Sequence, residues 1–289
     1  MAAKEVRNES TAVSAATDLS LEVTARYGRE AVEICASGSY LSSSGRRVSV
    51  GPILSIAKAG TVTYPPERPA GDGHTGPLQT SVAVANQTTL AAARGLIDEG
   101  FRPAVLNFAS AKSPGGGFLL GARAQEEYLA RSSGLYACLV GNGMYDYHGA
   151  RLDDMYSDWV IYSPDVPVFR DDSGDLLESP YTVSVITSPA PFAVAIRRDS
   201  PERLGELPVA FFHRILKVLS VGLLHDHDSL VLGAWGCGAF ENDATMVAGL
   251  FRKAIFENFA GAYAKLLFAI LDRSPEQRII APFRSVLTE

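Results

Sequence analysis

The sequence is poor in the residues that build disulfide frameworks and zinc sites. It contains three cysteines among 289 residues, Cys35, Cys138 and Cys237, and no CxxC pair. An odd number of widely spaced cysteines favours neither a disulfide scaffold nor a zinc knuckle. A reducing compartment fits this composition best, so we expect a cytoplasmic protein.

An excess of positive charge is also absent. The 26 Lys and Arg residues are outnumbered by 32 Asp and Glu residues, which gives a formal net charge of -6 at pH 7. Proteins that bind nucleic acids through phosphate contacts use many basic side chains. We therefore expect no direct binding to nucleic acid.

Long uninterrupted apolar runs are missing as well. The longest apolar stretch, 207–224, is interrupted by His213, Arg214 and Lys217, and the N-terminus has no apolar signal-peptide core. We therefore expect neither a membrane span nor a secretion signal. Residues 1–18 are small, polar and mixed in charge, which predicts a flexible tail.

From Thr80 onward, apolar strands alternate with helices, and 47% of the chain is hydrophobic. The predicted strands are TSVAVAN, PAVLNFAS, YTVSVITSPAP, SLVLGAW and YAKLLFAILD. One helix is predicted over AQEEYLARSSGLYACLV, and another over TTLAAARGLIDEG, capped by Thr88 and ended by Gly100. Strands of this kind belong to a mostly parallel sheet with helices on both faces, so we predict an α/β fold with three layers.

The preceding part of the chain is predicted to be an accessory region, 19–79, packed on a core of residues 80–289. Leu21 to Ala36 has helical spacing, and Gly38 to Gly51 has the composition of a turn or hairpin. Between Pro65 and Pro77, the sequence is too rich in proline and glycine for either period, which predicts a surface loop.

Two glycine-rich loops follow predicted strands. One contains Gly115, Gly116 and Gly117, and the other is WGCGAF, with Gly236 and Gly238. Ligands of open α/β sheets bind beyond the carboxyl ends of strands, and glycine loops before helices suit a phosphate or diphosphate. A GGG occurs by chance in about one such chain in five. Neither loop has the spacing of a Walker or dinucleotide motif.

The sequence Gln125-Glu126-Glu127 follows the triple glycine at the start of a predicted helix. Acidic residues in a first turn usually interact only with the helix dipole. Here they also face the predicted ligand crevice, so crowding and burial should raise one carboxyl pKa towards the range of a general acid.

The segment LNFASAKSPGGGFLLGARAQEEYLARSSGLYACL resembles the signature of bacterial-type poly(ADP-ribose) glycohydrolases, in which GGG is followed at short spacing by QEE. WGCGAF is similar to the second phosphate loop of that family. The order of strands and helices from Thr80 resembles a macrodomain. The resemblance extends more weakly to the N-terminal helix and GSYLSSSGRRVSV.

The resemblance implies roles for particular residues. Glu127 would be the catalytic acid and base, Glu126 would bind ribose hydroxyls, and Gln125 would support the loop. The other residues implied to contact the substrate are Asn107, at ribose hydroxyls; Gly115, Gly116 and Gly117, at the diphosphate and ribose; Gly236, Cys237, Gly238 and Ala239, around the diphosphate; and Phe240, against the terminal ribose.

The implied reaction is hydrolysis of the ribose–ribose bond of poly(ADP-ribose), with ADP-ribose as product and without a metal or cofactor. Poly(ADP-ribose) or ADP-ribosylated proteins would be the partners of a monomeric enzyme. Ala234 stands where related animal enzymes carry Asn, which leaves cleavage within the polymer open. Two alternatives also stay open: a non-catalytic ADP-ribose-binding module, and a hydrolase of mono-ADP-ribosylated side chains.

The histidines suggest little further chemistry. The run His225, Asp226, His227 and Asp228 is a candidate metal site, but a solvated connection between a helix and a strand explains it more simply. His74 and His148 are predicted in loops. Cys237, between two loop glycines, is predicted to point away from the ligand.

Overall fold

The structure is a computed structural model that describes residues 19–288, so the predicted flexible tail, 1–18, lies outside the described residues. The helices, in chain order, are α1 (Leu21–Ser37), α2 (Gly51–Ala59), α3 (Thr89–Asp98), α4 (Gln125–Ser132), α5 (Leu135–Leu139), α6 (Gly143–Gly149), α7 (Ala193–Asp199), α8 (Leu207–Leu224), α9 (Ala244–Lys253) and α10 (Ile280–Leu287). The strands are β1 (Ser39–Leu41), β2 (Arg47–Ser49), β3 (Val62–Tyr64), β4 (Ser81–Ala85), β5 (Pro103–Phe108), β6 (Val160–Arg170), β7 (Leu176–Ser188), β8 (Ser229–Leu232) and β9 (Lys265–Ala269).

Seven strands form the central sheet, in the order β3-β6-β7-β5-β8-β9-β4. The five strands from β7 to β4 are parallel, whereas β6 pairs antiparallel with β7 and β3 pairs antiparallel with β6. The carboxyl ends of the five parallel strands therefore meet along one edge, where ligands of such sheets bind.

Helices cover both faces of this sheet. In β5, Ala104 and Leu106 belong to one buried cluster and Val105 to the other, as expected when successive side chains point to opposite faces. Helices α8, α9 and α10 pack in the first cluster, and α2, α3, α4 and α5 pack in the second. The prediction of a three-layer α/β fold with a mostly parallel sheet is confirmed.

Several elements that were predicted from local sequence patterns are confirmed. The α1 helix and the β1–β2 hairpin follow the predicted order. Thr88 caps α3 by accepting a hydrogen bond from the Ala91 amide, and Gly100 takes a left-handed conformation at φ 91° just beyond the helix. Such ends depend on residues close in sequence, so the sequence is enough to identify them.

Two predictions of secondary structure were wrong. The helix predicted after the triple glycine is broken at Ser133, which is extended and forms an isolated antiparallel bridge with Val168. The strand β6 was missed because Pro164 and Pro167 interrupt its apolar pattern. Pro164 lies where the pairing of β6 with β7 changes register, between Ser163 and Val166, and Pro167 contributes its carbonyl oxygen, which accepts from the Gly134 amide at 2.9 Å.

The N-terminal region reaches both the sheet and the segment that joins the first glycine loop to α4. Its strand β3 forms an edge of the central sheet, and residues Pro65 to Pro77 form the predicted loop, with the His74 amide donating to Asn258 O. In α1, the Thr24 hydroxyl donates to Gly121 O at 2.8 Å. The boundary at residue 79 stays a prediction, but this region is continuous with the sheet through β3.

A 3-10 helix, Pro201–Glu206, runs directly into α8. The combined helix, Pro201–Leu224, is long and apolar enough to cross a membrane by length and composition, and 61% of its most apolar stretch is buried inside the protein. Core helices pass the same test, so this finding is weak evidence for a membrane span.

Candidate active site

A cavity of about 390 Å³ lies at the carboxyl ends of the five parallel strands. Each of these strands contributes residues at or just beyond its end, and the first turn of α4 closes one side. The lining residues are Gln87, Thr88 and Thr89 beyond β4; Phe108 at the end of β5, with Ala109 and Ser110; Ala190 beyond β7; Ala234 to Gly236 and Gly238 to Phe240 beyond β8; Ala269 at the end of β9, with Ile270, Leu271 and Ile279; and Arg123 to Tyr128 with Arg131 around α4.

Gln125 ties the start of α4 to the end of β5. Its Oε1 accepts a hydrogen bond from the Phe108 amide at 2.9 Å, and its Nε2 donates to Leu106 O at 2.8 Å. The amide group of Gln125 thus pairs with the backbone of β5 in the way that a neighbouring strand would. It fixes the place where the first glycine loop, residues 109–117 and hereafter loop 1, leaves the sheet.

Glu126 is 4% exposed and lies against the same loop. Its Oε2 accepts a hydrogen bond from the Ser110 amide at 2.6 Å, whereas its Oε1 is buried without a partner. Burial raises the pKa of Glu126 to about 8, the Ser110 amide opposes the rise, and the charge of Glu127 adds to it. The predicted raised carboxyl is therefore Glu126.

Glu127 is held in the same manner by the triple glycine. Its Oε1 accepts a hydrogen bond from the Gly117 amide at 2.9 Å, and its Oε2 is buried without a partner. A Cβ atom on Gly116 would overlap Glu127 Oε1 and lie 3.0 Å from Glu126 Oε2. Gly116 has a φ of 58°, so both the backbone conformation and the closeness of the carboxylates require glycine here.

Gly115 fixes the loop from behind. Its φ is 71°, and an added Cβ would lie 3.0 Å from the ring of Phe118 and 3.2 Å from the Cβ of Ala130 in α4. The loop therefore packs directly on the helix that carries the two glutamates. Loop 1 and α4 form one rigid arrangement in which the carboxylates are positioned by backbone amides.

The second glycine loop, residues 233–240 and hereafter loop 2, is built differently. Asn242 Nδ2 donates to Gly236 O at 3.0 Å and to Pro191 O at 2.8 Å, and Gly236 has a φ of 72°. The backbone amides of Gly238, Ala239 and Phe240 donate to no acceptor among the described residues. These three amides line the cavity and are free to bind an anion.

Two side chains of loop 2 point in different directions, and that of Cys237 points away from the cavity, as predicted. Its thiol donates to Trp235 O at 3.6 Å and packs against the core, and burial raises its pKa to about 12. Phe240 instead lines the cavity, with its ring 4.6 Å from that of Phe192 and 6.4 Å from that of Tyr156. The Cys237 amide donates to Ala234 O at 3.1 Å and the residue does not line the cavity, so its predicted place at the diphosphate stays a prediction, whereas Phe240 offers its ring to the cavity.

Asn107 lies deeper than its predicted role requires. It is fully buried, its Nδ2 donates to Thr187 Oγ1 at 3.3 Å, and its Oδ1 has no partner. Its side chain lies close enough to Glu126 to lower the pKa of that carboxyl. Asn107 therefore stands behind the carboxylates, and direct contact with ribose stays a prediction.

Several residues at the cavity wall were not predicted from the sequence. The Ser110 amide anchors Glu126, and the Tyr128 hydroxyl donates to Asp172, which also accepts from Thr88 Oγ1 at 2.8 Å. The buried Arg131 places its guanidinium 5.7 Å from the ring of Tyr128. The signal for Ser110 was its place just after β5, but the pairing of Tyr128 with Asp172 spans 44 residues and has no local signal.

The histidine-rich run is part of the packing rather than a solvated connection. His225 stacks on Tyr162 with ring centroids 3.5 Å apart, and the buried His227 hydrogen-bonds to Tyr162 and to Arg102 O. No group of three potential metal ligands occurs within residues 19–288. His148, predicted in a loop, lies in α6 and is buried.

Comparisons with known proteins agree with this geometry. The family model for the catalytic domain of microbial-type PARG, poly(ADP-ribose) glycohydrolase, matches residues 28–171. The structure is similar to poly(ADP-ribose) glycohydrolase from Thermomonospora curvata bound to the inhibitor ADP-HPD, with a TM-score of 0.84 and 43% identity over 91% of this chain and 99% of that chain.

It is also similar to the Deinococcus radiodurans enzyme in complex with ADP-ribose, with a TM-score of 0.78 and 42% identity over 81% of this chain and 96% of that chain. No curated protein matches the sequence.

Proposed function

The chain belongs to the microbial-type poly(ADP-ribose) glycohydrolase family, and we propose that Glu127 is the acid and base of its reaction while Glu126 holds the ribose. The protein is a glycosidase that hydrolyses poly(ADP-ribose) and releases ADP-ribose. A non-catalytic binding module, the first alternative, is not supported, because the family is one of hydrolases and the glutamate pair is intact.

The arrangement of Glu127 carries this proposal. One carboxyl oxygen is fixed by the Gly117 amide, and the other is buried at the cavity without a partner. A fixed carboxyl with one unpaired oxygen can donate a proton to the leaving atom and then accept a proton from the attacking water without moving. Glu126 has the same design, with Ser110 as its anchor.

In the proposed reaction, Glu127 protonates the departing 2′ oxygen of the neighbouring unit as an oxocarbenium-like ion forms at the terminal ribose. A water then attacks C1″, and Glu127 removes its proton. The two glutamates are sequence neighbours on one helix, so they cannot easily flank opposite faces of the anomeric carbon as in ordinary glycosidases. One residue therefore serves both steps, and the other orients the sugar.

The raised pKa of Glu126, about 8, means that the carboxyl pair retains a proton near neutral pH. This proton has two uses. It reduces the repulsion between the pair and a diphosphate in the same cavity, and it is available to the acid step. It also defines the closest rival assignment, in which Glu126 is the acid.

The remaining cavity suggests how an ADP-ribose unit lies in it. The free amides of Gly238, Ala239 and Phe240 suit the diphosphate, and the Phe240 ring suits the terminal ribose. Residues after β7 and β9 lie on opposite sides of the central β5–β8 pair. Phe240 packs against Phe192, which follows β7, so the terminal ribose lies on the β7 side of the cavity. We therefore assign the adenine, at the other end of ADP-ribose, to the β9 side, where Ile270, Leu271 and Ile279 form an apolar wall.

Paired substitutions test the assignment. We expect Glu127→Gln to lower kcat for release of ADP-ribose from polymer by roughly a thousandfold while ADP-ribose affinity changes little. Glu126→Gln should retain more activity and raise KM, because it loses a ribose contact rather than the proton carrier. Single-turnover rates and calorimetric titration with ADP-ribose would measure the two effects.

If Glu126→Gln is inactive and Glu127→Gln is not, the two roles are exchanged. Wild-type protein that cleaves mono-ADP-ribosylated side chains but not polymer would instead favour the second alternative function. Cytoplasmic location, the monomeric state and the position of cleavage along the polymer stay predictions.

A further inference from the structure

A second depression lies between loop 1 and α6. Its loop side is formed by Lys112 and Pro114, and its far side by Asn142, Tyr145 and Asp146 at α6. We call it the outer groove. Its volume is about 450 Å³, which leaves room for the ribose and diphosphate of a second unit.

Lys112 gives this groove a cation. It is exposed, and its backbone amide is fixed by Ser110 Oγ at 3.3 Å. Its ammonium group lies 5.8 Å from the ring centre of Tyr156 and forms no ion pair with any described residue. In a chain of net charge -6, an unpaired lysine on loop 1 can pair with an external anion.

Tyr156 shows which end of the cavity the groove adjoins. Its ring centre lies 5.8 Å from Lys112 Nζ and 6.4 Å from the ring centre of Phe240, so it connects the lysine to the aromatic wall of the cavity. It does so from a left-handed backbone conformation, φ 55°, that a tyrosine rarely adopts and that needs support from its surroundings. The groove thus lies at the Phe240 end, where the terminal ribose and its scissile bond are proposed to be.

We propose that the outer groove binds the ADP-ribose unit on the leaving side of the scissile bond, with Lys112 pairing with its diphosphate. This inference rests on the proposed function, because the leaving atom is then the 2′ oxygen of that unit's adenosine. The diphosphate of the leaving unit is only one ribose away from this oxygen. Asp146, across the groove, repels phosphate and suits a ribose hydroxyl, so the diphosphate belongs on the Lys112 side.

The test compares two substrates that differ only on the leaving side. One is an ADP-ribose dimer, and the other is ADP-ribose that carries a small aryl leaving group at C1″. For Lys112→Met, we expect the ratio of kcat/KM for the dimer to that for the aryl compound to fall by roughly threefold to tenfold, and further for Lys112→Glu. The fall should shrink at high ionic strength, because Lys112 is exposed.

Lys253→Met is the matched control, because Lys253 is also exposed and lies 4.8 Å from the ring centre of Phe212, away from the cavity. Its ratio should equal that of the wild type. An unchanged ratio for both Lys112 variants, or equal losses on the two substrates, would overturn the subsite. Failure of the proposed function looks different, since wild-type protein would then cleave neither compound or Glu127→Gln would cleave both at the wild-type rate.

Discussion

Loop 1 and loop 2 follow neighbouring strands and have similar glycine content, yet their backbone amides have different uses. In loop 1, the amides of Ser110 and Gly117 bind the protein's own carboxylates. In loop 2, the amides of Gly238, Ala239 and Phe240 have no acceptor within residues 19–288. A glycine loop at the end of a strand can therefore position catalytic groups or bind an anion, and the partners of its amides distinguish the two uses.

The largest expected effect concerns the carboxylate that loop 1 holds. The pKa of Glu126 is raised from 4.5 to about 8, so the folded protein keeps its proton while the unfolded chain loses it as the pH rises above 4.5. The unfolding free energy should fall between these values and level off above about pH 8. Glu126→Gln should remove this fall, which is on the order of 4–5 kcal/mol.

Urea denaturation of both proteins at pH 5, 7 and 9 measures this difference. Since Gln is neutral at every pH, the two stability curves should diverge as the pH rises, with the variant more stable on the alkaline side. Parallel curves would show that ionisation of Glu126 does not lower the unfolding free energy, which would contradict the burial of this carboxyl against loop 1.

The second prediction breaks the contact between loop 1 and Glu127. Gly116→Ala places a Cβ on Glu127 Oε1 in a left-handed conformation, which should misplace the carboxylate and lower kcat by about 100-fold. Gly238→Ala in loop 2 has open space around its Cβ and is the structural control. Denaturation should find Gly116→Ala destabilised and Gly238→Ala unchanged; equal stabilities would contradict the tight packing of loop 1.

The sequence predicted the parts of this site that depend on local pattern. Apolar strands, the glycines after β5 and β8, and the QEE motif were enough to bring the two loops and both glutamates to one cavity. The missing parts depend on distant partners. Ser133 ends α4 and bridges to Val168, β6 continues past Pro164 where its pairing with β7 changes register, and the buried Asn107 hydrogen-bonds to Thr187, 80 residues away.

The third prediction concerns the turn of loop 2. A Cβ at Gly236 would lie 2.6 Å from Ala190 Cβ and 2.7 Å from Asn242 Nδ2, at a φ of 72°. Gly236→Ala should therefore displace the free amides and weaken ADP-ribose binding by about tenfold or more, since a hydrogen bond from an amide to a charged group contributes about 1.5–3 kcal/mol. Calorimetry with ADP-ribose would test it. If kcat with saturating polymer falls more than affinity does, loop 2 has a catalytic role that it does not share with loop 1.

The smallest effect is expected at Cys237, which separates the contribution of the loop 2 backbone from that of its side chains. Burial raises the pKa of its thiol to about 12, so almost no nucleophilic thiolate exists at neutral pH. Cys237→Ala keeps the backbone and should change kcat/KM on polymer by less than about twofold, as for a small partly buried side chain outside the reaction. Iodoacetamide should label the wild-type residue slowly, measured by mass spectrometry of its peptide. Rapid labelling together with loss of activity would mean that the thiol faces the substrate, and loop 2 would then bind through a side chain, unlike loop 1, which holds its glutamates through backbone amides.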